Sequence, residues 1–272
     1  MAELKPLSSA IAELVGDGDS VALEGFSHLV PFAAGHELIR QRRRALTIIR
    51  MVPDLVTDQL IGAGCIDRLL FSWAGNPGVG SLHRFRDALE HGWPRRVEIE
   101  EHTHAGLAAR YVAGASGLPF TVLRAYAGTS LASVAQHVRQ IADPFGGQPV
   151  AAVAAVQPDV AIIHAQQADR EGNVQLWGIV GVQKEAVLAA RRSLVTVDEL
   201  VDVLEPVVGG TILPAWAVSV VSHVPGGTYP SYAHGRTKRD DSFYSDWDRI
   251  SRERDTFLGW MRAQGLPVAT DD

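Results

Sequence analysis

Glu101, His102 and His104 form the densest titratable cluster in the chain, at the end of the run Val97-Glu-Ile-Glu-Glu101. A carboxylate beside an imidazole at a strand end can act as general base or nucleophile, because partial burial and neighbouring charge bring such groups near neutrality. Histidines at i and i+2 point the same way on a strand, which also fits a metal pair, although no third ligand is evident. A plain surface strand end is the alternative. Arg124 closes the next strand-like run, Thr121-Val-Leu123. Its planar fork suits a substrate carboxylate or phosphate, or equally a structural ion pair with Glu101.

A second group of polar residues stands in Gly16-Asp-Gly-Asp-Ser-Val-Ala-Leu-Glu-Gly-Phe-Ser-His-Leu-Val-Pro31. Val21 to Leu23 can form a buried strand, and Gly25 lets the backbone turn where that strand ends. Ligands of open parallel sheets bind outside the carboxyl ends of the strands, where free backbone N–H groups can hold an anion or a carbonyl oxygen. Glu24, Gly25, Phe26, Ser27 and His28 are therefore candidates for substrate or oxyanion binding, against the plainer reading of an ordinary strand-to-helix corner. The glycine-rich loop Trp73–Ser81, with Asn76 at its centre, reads either as part of a site or as a surface loop. His164 and Asp169 flank another strand end beside the turn Gly172-Asn173, and a loop-fixing role suits them better than direct catalysis. Cys65 lies in an apolar run and reads as core filling.

The elements that must position these residues alternate along the chain. A helix is predicted over Leu4–Leu14, a strand at Val21–Leu23, a helix to about Arg42, and a strand over Ala45–Met51 rich in β-branched residues. Helix Asp58–Ala63, strand Arg68–Ser72, helix Leu82–Glu90, strand Val97–Glu101 and helix Ala105–Ala115 continue the pattern. Such βα alternation predicts an α/β fold with an open, mostly parallel sheet and helices on both faces. Pro144–Gly147 is a turn and the best candidate for an internal boundary. Beyond it, strands are expected at Asp159–Ile163, Ser193–Val197 and Val218–Val224, with helices at Glu199–Val203 and about Asp246–Met261. Residues 1–272 read as a single domain with a helical and extended arm from about residue 228.

The net charge of -6 gives no basic face for nucleic acid, although Arg42-Arg43-Arg44 could form a small anion-binding patch. One cysteine excludes an intramolecular disulfide and a cysteine metal cluster, and points to a reducing, cytoplasmic setting. No leader segment or membrane span is expected, because Gln157, Pro158 and Asp159 interrupt the longest apolar stretch. Dinucleotide, P-loop and nucleophile-elbow motifs are all missing, which disfavours hydride transfer, P-loop ATP hydrolysis and ordinary α/β-hydrolase chemistry.

Several stretches together resemble one family. Asp17-Gly-Asp-Ser-Val-Ala-Leu-Glu-Gly-Phe26 with Pro31, Phe85–Glu90, Gly117–Phe120, Gly128–Leu131 and Asp143–Phe145 are similar to class I coenzyme A transferases. So are Pro158–Asn173, Thr196–Leu200 and Pro225–Pro230, and the likeness spans roughly residues 10 to 250. The match is to the alpha-type subunit of the glutaconate, 3-oxoadipate and 3-oxoacid group. That resemblance implies an alpha and a beta subunit of similar open α/β fold, often as α2β2. It implies transfer of CoA between two carboxylates through a glutamyl-CoA thioester on the beta subunit, with acyl-CoA and a carboxylic acid as substrates and no permanently bound cofactor. Gly25, Phe26 and Ser27 would line the site and help hold the thioester oxygen, and the loop around Asn76 would position the acyl group. Two departures stand out: Glu24 where the family signature has glycine, and Leu29-Val30 where another glycine precedes the proline. Ring-cleaving hydrolases of cyclic CoA thioesters in the same family imply an alternative, in which Glu101 works with Arg124 and His102. A non-catalytic scaffold subunit is the third reading.

Overall fold

The computed structural model describes residues 2–77 and 79–268. Met1, and Gly78 of the glycine-rich loop, lie outside the described residues. A two-residue strand β1 (Glu3–Leu4) precedes α1 (Leu7–Leu14), and then strands and helices alternate. They are β2 (Ser20–Glu24), α2 (Phe32–Arg40), β3 (Leu46–Arg50), α3 (Leu55–Gly62), β4 (Ile66–Phe71), α4 (His83–Glu90), β5 (Glu98–Glu101) and α5 (His104–Ala115). A small antiparallel sheet follows, from β6 (Phe120–Leu123), α6 (Leu131–Val134), β7 (Val138–Ile141) and β8 (Val150–Ala154). The chain then re-enters the main sheet through β9 (Val160–Asp169), β10 (Val174–Leu176), α7 (Gln183–Ala189), β11 (Arg192–Val201), β12 (Thr211–Leu213) and β13 (Val220–His223). Two helices, α8 (Asp241–Arg252) and α9 (Arg254–Ala263), complete the described residues.

The main sheet runs β1-β13-β11-β9-β2-β3-β4-β5, all parallel, with β10 and β12 as an antiparallel extension beyond β9. From β2 the chain moves outward strand by strand to β5. It returns beside β2 with β9 and moves outward on the other side. The order reverses between β2 and β9, and that reversal is where an open α/β sheet leaves a crevice at its carboxyl edge. The α/β architecture expected from the alternation is therefore present, with helices on both faces.

Alternate residues of the central strands feed opposite cores. Val21 and Leu23 of β2, with Val160 and Ile162 of β9, join one cluster that includes Phe32, Leu38, Trp247 and Phe257. Ala22, Ala161 and Ile163 face the other, with Leu107, Tyr111 and Val187. A sheet covered on both faces needs such near-continuous apolar strands, and parallel crossovers supply the covering helices.

Five expectations are corrected. The segment before Pro6 is not helical: Glu3 and Leu4 pair with Val220 and Val221, and α1 begins after the proline. Glu199–Val201 extends β11 rather than starting a helix, because the long β9 offers pairing partners as far as Asp169. Val122 and its neighbours lie in the separate antiparallel sheet, outside the parallel array. Pro144–Gly147 turns the chain between β7 and β8, which pair across it, so it is internal to a hairpin. The C-terminal helix is two helices, broken at Glu253, whose backbone is extended.

The arginine run sits below the sheet. Arg42, Arg43 and Arg44, with Arg95 and Arg96, line a cleft of about 1010 Å³ at the amino-terminal ends of β3, β4 and β5. Arg43 donates to Ala12 O near the C-terminus of α1, the end at which a helix favours positive charge. Among the described residues no helix is long and apolar enough to cross a membrane.

Candidate active site

The bend after β2 occupies the reversal point. Gly25 is required for space: a Cβ there would lie 2.6 Å from Leu29 O and 2.7 Å from Val30 Cα, both backbone atoms. The tight turn is made instead by Ser27 and Leu29, both in the left-handed region at φ 58° and 53°. Left-handed non-glycine residues cost energy and persist only where the surroundings hold them. Here the C-terminal arm does so. Leu29 N donates to Tyr232 O (2.9 Å), and Ser231 Oγ donates to Ser27 O (2.9 Å). His234 N donates to His28 Nε2 (2.9 Å), which leaves His28 Nδ1–H to donate to Ile179 O (3.1 Å). Burial lowers the His28 pKa.

The carbonyls leading into the bend are also held. Arg50, fully buried at the end of β3, donates from Nη1 to Leu23 O (2.9 Å) and from Nη2 to Gly25 O (3.2 Å). It also reaches Val52 O (2.9 Å) and Asp54 Oδ2 (2.9 Å), and Asp54 caps α3 at Val56 N. Gln183 Nε2 donates to Glu24 O (3.4 Å) and His164 O (3.2 Å). The N–H of Phe26 has no protein acceptor among the described residues. A half-buried Phe26 ring meets His104 edge-on, with centroids 6.2 Å apart, which brings the bend against the start of α5.

Glu24 is closed off from the crevice side by its own bonds. Met51 N and Tyr111 Oη donate to its Oε1, each at 2.9 Å, and the residue is 2 % exposed. Burial raises its pKa to about 7, against the opposing charge of Arg50. Glu24 and His28 are both enclosed, and their bonds hold the bend in place.

Glu101 is exposed at the end of β5, two positions before Thr103, which caps α5 at Gly106 N (2.9 Å). Its neighbour Glu100 points inward. Glu100 accepts from Arg68 (2.7 Å) and Arg110 (2.9 Å), and His102 Nε2 and His137 Nδ1 lie 2.8 and 2.6 Å from it. Burial opposes its ionisation, but the two histidine bonds and the Arg110 charge prevail and bring its pKa down to about 2. His102 is buried, its Nδ1 2.7 Å from Tyr126 Oη, and burial lowers its pKa despite Glu100. With Arg110 Nε donating to Ala154 O, this network pins the small sheet to α5 and β5. His102 is thus held within the network that supports α5 and β5.

Arg124 is exposed on the small sheet, and no ion pair joins it to Glu101 among the described residues. Asn76 is buried and donates from Nδ2 to Tyr244 O (2.7 Å), fastening the glycine-rich loop to α8, while its Oδ1 has no hydrogen-bond partner among the described residues. His164 is buried with Nδ1 2.9 Å from Thr196 Oγ1 and Nε2 3.4 Å from Asp198 Oδ1. Asp169 accepts from Glu171 N, Asn173 N and Asn173 Nδ2, which shapes the turn that follows β9. Among the described residues no group of three or more His, Cys, Asp or Glu side chains could hold a metal ion.

Sequence reading missed Arg50, Tyr111, Glu100 and Arg110. Arg50 carried a signal, a lone charge closing a β-branched strand, and Glu100 another, an acid between two outward-facing neighbours. Tyr111 and Arg110 lie in a helix whose buried face shows only in three dimensions.

The coenzyme A transferase family model matches residues 5–222. The chain is 61% identical over 261 residues to the A-type component of 3-oxoadipate CoA-transferase from Pseudomonas knackmussii, covering 96% of this chain and 93% of that protein. It is 31% identical to the A-type component of glutaconate CoA-transferase from Acidaminococcus fermentans, over 94% of this chain and 86% of the relative. The crystal structure of glutaconate coenzyme A-transferase from that organism superposes with a TM-score of 0.90 at 29% identity, covering 96% of this chain and 88% of that one. The decarboxylase AibA/AibB superposes at 0.82 and 29% identity, covering 96% of this chain and 98% of that one. The chain belongs to the coenzyme A transferase family, as an alpha-type subunit of the glutaconate and 3-oxoadipate branch.

Proposed function

We propose that this chain is the alpha subunit of a heteromeric enzyme, of α2β2 form, that moves CoA from an acyl-CoA to a 3-oxo dicarboxylic acid of the 3-oxoadipate kind. The substrate class rests on the 61% identical relative, whose name specifies 3-oxoadipate. The division of labour rests on the bend: its Phe26 N–H has no acceptor among the described residues, while its carboxylate, Glu24, is enclosed. The bend thus supplies donors for a thioester oxygen and no open carboxylate. The attacking carboxylate is a glutamate of the beta subunit. It displaces the CoA thiolate from the thioester carbonyl to give an acyl-glutamyl anhydride, and the thiolate attacks the glutamyl carbonyl to leave a glutamyl-CoA thioester and the free acid. The acceptor acid then repeats these steps in reverse. Water must be kept out, and covering the crevice with the partner chain does so.

Exposure of Glu101 at the end of β5, beside the helix whose His104 meets Phe26, favours a second reading. In it, Glu101 acts on a CoA thioester within this chain, as a hydrolase would. Coexpression with the beta subunit, followed by assay of acyl-CoA donors with 3-oxoadipate and other acids, separates the two. Strict dependence of thioester turnover on an acceptor acid is expected. Turnover that proceeds equally without acceptor contradicts transfer.

A further inference from the structure

We infer that Arg50 is a positioning residue for the reaction, because it sets the orientation of the Gly25–Phe26 peptide and thereby aims the Phe26 N–H at the substrate oxygen. This deepens the transferase reading above and rests on it. The Gly25–Phe26 bond is trans, so its C=O and N–H point in opposite directions. Arg50 Nη2 takes the Gly25 carbonyl from below, at 3.2 Å, and Arg50 itself is fully buried beneath the bend. The Phe26 N–H on the other end of the same peptide therefore faces away from the core.

The guanidinium is suited to this because its donors are fixed in one plane. Nη1 holds Leu23 O, Nε holds Val52 O and Nη2 holds Gly25 O, so one rigid group sets both strand ends and the bend between them. An ammonium on a flexible stem cannot reproduce that pattern. Asp54 Oδ2 counters the buried charge at 2.9 Å and accepts from the same Nη2 that donates to Gly25 O. Nε and Nη1 each hold one carbonyl, whereas Nη2 holds both the Gly25 carbonyl and Asp54. Asp54 stabilises the buried cation, and the three carbonyl bonds orient the peptide.

Arg50→Lys and Asp54→Asn, each prepared in the alpha–beta complex, test this. Asparagine retains an acceptor for Val56 N but removes the charge opposite Arg50, so Asp54→Asn lowers the melting temperature while all three carbonyl acceptors of Arg50 remain. Arg50→Lys is expected to lower kcat on the order of 100-fold, the usual scale for a lost oxyanion donor, with KM for acyl-CoA changed less than about threefold. Asp54→Asn is expected to keep kcat within about threefold at a temperature where it stays folded. A crystal structure of the Arg50→Lys complex should show the Gly25–Phe26 peptide rotated. If kcat falls in step with melting temperature in both variants, or if the peptide is unmoved, the inference is wrong. The peptide readout holds whether or not the wild-type complex transfers CoA, whereas absent transfer by the wild type overturns the transferase reading alone.

Discussion

Tyr111 Oη donates to Glu24 Oε1 at 2.9 Å, so the helix that follows Glu101 is tied to the strand end that leads into the glycine bend. Two regions separated by two strands in the sheet, and by 87 positions in the chain, thereby share one buried bond. The Phe26 and His104 rings make a second link between the bend and α5.

Glu24 predicts a pH-dependent stability. Its pKa is about 7 in the folded chain against an ordinary 4.5, because burial disfavours the anion. Between those values the native state holds a proton that the unfolded chain has released, so stability falls as pH rises through the window and levels off above it. The scale is on the order of 3 kcal/mol, from about 1.4 kcal/mol for each pKa unit. Urea unfolding of wild type and Glu24→Gln from pH 4.5 to 8 should show the difference between them change by about that amount. A difference independent of pH would show that Glu24 is not the group responsible.

Glu100 predicts the opposite slope. Its pKa of about 2 means that its contribution is present above the ordinary value of 4.5 and is lost as pH falls toward 2. Glu100→Gln leaves Arg110 buried without a carboxylate, and a loss of about 3–5 kcal/mol is expected at pH 7. The wild type should lose more stability than the variant on acidification. Equal acid sensitivity of the two proteins would argue against the network as the cause.

Gly25→Ala should move the bend even though alanine is small. The added Cβ meets two backbone atoms at 2.6 and 2.7 Å, and neither can rotate away as a side chain would. A cost of about 1–3 kcal/mol is expected, on the scale of other overpacked sites, together with loss of CoA transfer. Thermal unfolding and activity of the reconstituted complex would check it, and an unchanged melting temperature would contradict the packing argument.

Much of this arrangement was legible in the sequence, for identifiable reasons. The run Val21 to Leu23 between a turn and a glycine marks a buried strand, and its successors marked the parallel sheet. The importance of Gly25 was also legible, but its cause was not: the constraint is proximity to Leu29 and Val30, and the left-handed residues are Ser27 and Leu29. Glu24 and His28 looked available because linear proximity to a bend does not tell which way a side chain turns. Tyr111, Ile179 and His234, which close them in, come from distant elements. The bond that fixes Asn76 was hidden for the same reason, since its partner Tyr244 lies 168 positions away.

Glu101→Gln provides a further separation of mechanisms. Glu101 is exposed, and its side chain supports none of the networks described above. The transferase account expects the complex to retain CoA transfer within about threefold, and hydrolysis at Glu101 expects near-complete loss. Initial rates with and without an acceptor acid would decide.

The most direct measurement is mass analysis of the alpha–beta complex after incubation with acyl-CoA and no acceptor, followed by proteolysis and mapping of any CoA adduct. The account predicts a glutamyl-CoA thioester on the beta subunit, with none on this chain. An adduct on Glu101, or steady release of CoA with no adduct on either chain, would contradict it.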